Sequence, residues 1–142
     1  MAPFPPTIIL RHRRENLKKC SLAGLESRSD MVFLTYPKDP LPDLKNYLVL
    51  SLDGPLLSKE DQPLGLFLID GTWRHAEKMA KTLPPNLLFR TLPSSFKTAY
   101  PRRQEVSQGL ASIEALFIAY HILGRKTEGL LDHYHWRELF IS

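Results

Sequence analysis

Apolar residues are distributed along this chain in short unbroken runs separated by polar or proline-containing stretches. Thr7 to Leu10 is the first and closes on Arg11-His12; Met31 to Thr35, Tyr47 to Leu52, Leu66 to Ile69 and Leu87 to Leu92 repeat the pattern. Runs with no polar alternation predict strands covered on both faces, as in parallel sheets. Between them the period changes. Leu17, Leu22 and Leu25 are spaced for a helix over 14–25. After Thr72, the positions Trp73, Ala76, Met79, Ala80 and Leu83 share one helical face, with Arg74, Glu77, Lys78 and Lys81 directed away. A strongly apolar helix is predicted from about residue 110 to 123, stopped by Gly124, and a closing helix over 128–141. Strands alternating with helices or turns predict an α/β fold, a mostly parallel sheet covered by helices. The 142 residues suit one domain, 1–142.

The junction Leu66-Phe67-Leu68-Ile69-Asp70-Gly71-Thr72-Trp73 is the most informative stretch. It predicts a strand, a tight turn and a helix start, with Asp70 at the C-terminal end of a buried strand, where open α/β sheets place their ligand crevices. Thr72 suits a helix N-cap. The competing reading is that Asp70 merely caps the helix and Trp73 fills the core. The 93–109 segment is irregular and long enough to read as functional or mobile, and it leads into another helix N-terminus at Gly109 to Ser112.

Composition narrows the classes. A net charge of +4, with one basic cluster at Arg11, His12, Arg13, Arg14, Lys18 and Lys19 and a second at Lys97, Arg102 and Arg103, suits a polyanionic partner, although two solvated faces would read the same way. One cysteine, Cys20, allows neither an internal disulfide nor a cysteine-based zinc cluster, so a reducing, cytoplasmic setting and no metal are expected. Neither a signal peptide nor a run long enough to cross a bilayer is read, so no membrane is expected. Glycine-rich phosphate-binding motifs are missing. His133 and His135 diverge on a helix, and for Cys20 with His12 as a thiol nucleophile no third group is placed by spacing to orient it. Glu114, inside an apolar helix, needs an arginine such as Arg103 or a backbone amide to answer it.

Asp70-Gly71-Thr72-Trp73, Arg74-x-Ala76-x-Lys78-Met79, Tyr100-x-x-Arg103 and Leu110-Ala111-Ser112-Ile113-Glu114-Ala115 together resemble the DTW-domain family of aminocarboxypropyltransferases. Ala111 and Ser112 depart conservatively from that family's Leu-Ser-Thr-x-Glu-Ala. His12-x-x-Glu15-x-x-Lys18 is similar to its His-Pro-x-Glu segment, with Arg13 in the place of proline. The family's usual Cys-rich segment is not found, and Lys19-Cys20-Ser21 with Leu25 resembles the related ribosomal-RNA enzymes. The resemblance implies a SPOUT-like fold with a C-terminal trefoil knot. It implies transfer of the 3-amino-3-carboxypropyl group of S-adenosylmethionine to uridine in tRNA, with ribosomal RNA as the alternative acceptor. A SPOUT methyltransferase and a non-catalytic RNA-binding module are the further alternatives. Asp70, Thr72 and Trp73 would be catalytic. Backbone from Leu52, Asp53, Gly54, Leu92, Pro93, Gly109, Leu110, Ala111 and Ser112 would line the adenosine. Arg11, His12, Arg14, Lys18, Arg102 and Arg103 would hold RNA phosphate, and a homodimer would widen that basic surface.

Overall fold

The computed structural model describes residues 4–12, 25, 28–51, 54–70, 73–92, 112–125, 127 and 130, with the side chains of residues 73 and 112 excepted. Five strands, β1 (Thr7–His12), β2 (Met31–Tyr36), β3 (Tyr47–Leu50), β4 (Gly65–Asp70) and β5 (Leu88–Arg90), form one sheet in the order β2-β1-β4-β3-β5. Every pairing is parallel. Each run expected to be a strand is one, with ends shifted by one or two residues. β1 continues through Arg11 and His12, and β4 through Asp70, because backbone pairing across the sheet outlasts the apolar side chains.

Alternation along each strand sorts the core into two layers. Ile9, Met31, Leu48, Leu50, Leu66 and Leu68 point to one face, where α2 (Ser112–Ile122) covers them with Ile113, Leu116, Ala119 and Tyr120. Ile8, Leu10, Val49 and Phe67 point to the other, against Met79 of α1 (Trp73–Ala80) and Leu44. Full burial of side chains such as Phe67, Leu66 and Met79 stabilises the fold by about 1.5–3 kcal/mol each. The α1 face keeps the expected Ala76, Met79 and Leu83, half-buried, buried and half-buried, and departs from it at two positions: His75 is also half-buried and Ala80 is exposed.

The N-terminal edge of the sheet is closed by polar contacts. Tyr120 and Thr7 share a 2.7 Å hydrogen bond between hydroxyls, and burial pushes the Tyr120 phenol up from its usual range. α2 ends on Gly124 at φ 73°, with the Gly124 amide donating to His121 O and the Arg125 amide to Tyr120 O, the double bond pattern of a left-handed cap. Arg125 then turns back over the Phe4 ring, 3.7 Å from its centroid, and donates to the Gln62 and Leu64 carbonyls just before β4. Burial lowers the Arg125 pKa from its usual value. Among the described residues no helix is long and apolar enough to cross a membrane. The expected helices over 14–25 and 128–141 lie outside the described residues except at Leu25 and Leu130, both buried, and so does most of the C-terminal chain that the implied trefoil knot would involve.

Candidate active site

In a parallel sheet all strand C-termini share one edge, and the crevice opens where neighbouring strands send their chains in opposite directions. Here those strands are β1 and β4. β1 leads outward to β2 on one side, whereas β4 crosses β3 to reach β5 on the other. The registered pair at the end of these two strands is Arg11 and Asp70.

Both side chains point to the α2 face, following Ile9 and Leu68 in the alternation. Arg11 Nε donates to Asp70 Oδ2 at 3.4 Å, and its guanidinium lies 4.8 Å from the centroid of the Phe33 ring on β2. Arg11 is 7% exposed and Asp70 4%, so this is a buried ion pair. Such a pair is expensive to desolvate, and removing one member typically costs about 3–5 kcal/mol. Glu114, in the first turn of α2 on the same face, is fully buried.

His12, one residue on, points to the opposite face. Its ring stacks on His75 of α1 at 3.7 Å between centroids and 6° between planes, and meets the Tyr36 ring of β2 at 5.6 Å. Among the described residues His75 Nδ1 is buried with no hydrogen-bond partner. The strand end therefore sends one side chain to each face of the sheet, Arg11 toward Asp70 and His12 toward His75.

The remaining expected site residues divide by place. Gly54 follows β3 at φ 106° in an exposed turn against β5, and an added Cβ would stand 2.9 Å from the Phe89 carbonyl oxygen, so only glycine fits. Leu92 follows β5 and packs half-buried against the α2 core. Ser112 opens α2 and Trp73 opens α1, as backbone. Thr72, Leu52, Asp53, Pro93, Gly109, Leu110, Ala111, Arg14, Lys18, Arg102 and Arg103 lie outside the described residues, as do Cys20, His133 and His135. Arg11 and His12 were expected on a phosphate-holding surface. They are instead buried strand-end residues, because the sheet continues through them and each packs against one of its faces. His75, Phe33 and Tyr36 were not foreseen at all. For His75 the available signal was its four-residue step to Met79 and Leu83; for the other two, their place in or just after an apolar run.

No family model matches the chain, and no curated protein matches it. Among solved structures it is similar to the SAM-dependent rRNA:acp-transferase Tsr3 from Vulcanisaeta distributa, with a TM-score of 0.77 and 24% sequence identity over 97% of this chain and 77% of that one. At that identity the likeness is one of fold, and it establishes for this chain the α/β architecture of that solved structure.

Proposed function

We propose that this chain moves the 3-amino-3-carboxypropyl group of S-adenosylmethionine to a base in RNA, with ribosomal RNA as the acceptor. The observation that carries the reading is the buried Arg11–Asp70 pair at the crevice of a sheet whose fold matches that of an RNA aminocarboxypropyltransferase. The sequence motifs favour uridine in tRNA. The solved neighbour acts on rRNA, and Lys19-Cys20-Ser21 points the same way, which supports the ribosomal acceptor better.

At this edge the exposed Gly54 backbone, free of a side chain, suits contact with the donor's adenosine. When bound, S-adenosylmethionine supplies sulfonium-activated carbons, and the one presented to the nucleophile decides which group moves. Asp70 takes or orients the ring proton of the base as its nitrogen bonds to carbon and the carbon–sulfur pair leaves on sulfur. Arg11 holds the Asp70 carboxylate in place. Trp73 walls the methionine end and Thr72 fixes the turn. Leu52 to Gly54, Leu92, Pro93 and Gly109 to Ser112 line the adenosine, while Arg14, Lys18, Arg102 and Arg103 hold phosphate. The resemblance carries with it a C-terminal trefoil knot and an RNA surface that a homodimer would widen.

The test supplies S-adenosylmethionine labelled in its methyl carbon or in its carboxyl carbon and follows label into purified rRNA and tRNA. Carboxyl label entering rRNA is expected. Label from the methyl alone would make the protein a methyltransferase, and carboxyl label confined to tRNA would restore the tRNA acceptor. Binding of RNA with no transfer and no donor affinity would make it a binding module.

A further inference from the structure

We propose that His75 is a positioning residue for the Arg11–Asp70 site, acting through its stack on His12; this rests on the reading above for its chemical consequence. Two strand ends carry the ion pair, the next-to-last residue of β1 and the last of β4. On the α2 face they are joined by Arg11 and Asp70. On the α1 face the same two chain ends are joined a second time, by His12, which directly follows Arg11, and His75, in the first turn of the helix that follows Asp70. Adjacent residues of a strand point to opposite faces, so holding the His12 ring fixes the backbone from which Arg11 reaches across.

The stack is built to hold one orientation. The two imidazoles are parallel within 6° and in van der Waals contact, and the Tyr36 ring closes on His12 from β2 at a 35° tilt. Among the described residues the His75 Nδ1 has no hydrogen-bond partner, so no polar contact at that atom orients the ring and the stack on His12 does. The role assigned here requires the flat ring and its contact with His12.

The test compares His75→Ala and His75→Phe with the unaltered full chain. Two measurements are made, hydrogen exchange over residues 8–12 and 73–80, and steady-state transfer from labelled S-adenosylmethionine to an rRNA fragment. His75→Ala is expected to speed exchange at these two segments while leaving 47–50 protected, and to lower kcat by about tenfold or more with both KM values little changed. His75→Phe should restore both. Unchanged exchange in His75→Ala overturns the proposal, as does normal kcat in a variant whose only change is a lower Tm. A His75→Phe variant that folds, stacks and yet fails like His75→Ala also overturns it, since the nitrogen would then be what matters. If the unaltered chain transfers nothing, the reaction assigned above fails, and exchange alone decides whether His75 holds the two chain ends.

Discussion

Asp70 and Arg11 lie 59 positions apart in sequence and meet as a registered pair, so each can be tested for a distinct effect. Asp70→Asn keeps the side-chain shape and loses the charge. Transfer to RNA should fall by about a hundredfold or more, the scale of a lost proton acceptor, while S-adenosylmethionine affinity measured by calorimetry stays within a few-fold. Undiminished transfer would remove Asp70 from the mechanism. Arg11→Met removes the cation from beside a buried carboxylate. Urea unfolding should show a loss of about 3–5 kcal/mol, far above a surface substitution, if the pair is as desolvated as its burial indicates. That Asp70 would sit at a strand end was legible in Leu66-Phe67-Leu68-Ile69-Asp70-Gly71. That Arg11 would be its partner was not, because a basic residue after an apolar run reads equally well as a surface charge.

Helix and strand ends were legible where a residue carries a local conformational demand. Gly124 is the clearest case, since its φ of 73° is open to glycine and strained for side chains, even though nothing lies within reach of an added Cβ. Gly124→Ala should therefore cost about 1 kcal/mol through backbone strain alone, read as a fall in Tm of about 2–4 °C with no change in core packing. That Ala80 would be exposed and His75 half-buried was not legible, because Ala76 and Ala80 are equally apolar and only contact with the sheet decides between them. Where β2 begins, Arg28 grips Asp30 through two hydrogen bonds of 2.8 and 3.0 Å and holds its carboxyl below the usual 3.8. A depressed carboxylate stabilises the fold above its unfolded pKa and loses that contribution as pH falls through the folded value. Asp30→Asn should thus lower stability at pH 7 by less than about 1 kcal/mol, since the pair is partly exposed. The gap between variant and parent should shrink steadily below pH 4 in acid unfolding curves. A gap that widened in acid would reverse the assigned sign.

For the molecule as a whole, class and order had different sources. Unbroken apolar runs such as Thr7 to Leu10 and Leu66 to Ile69 call for cover on both faces, and helical patterns alternating with them supply it, so the α/β class followed from local pattern. The order β2-β1-β4-β3-β5 did not, because several crossover paths bury the same runs. That order makes the crevice, by placing β1 beside β4 with their chains leaving in opposite directions. The chain's own pattern was enough to mark the strands, the Gly124 stop and the carboxylate at the end of β4, since each depends on residues within a few positions of one another. The pairing of Arg11 with Asp70, the stack of His12 on His75 and the burial of both strand-end residues came from the assembled sheet. Contacts between residues about 60 positions apart are chosen by which faces must be covered, and no short stretch of sequence carries that information.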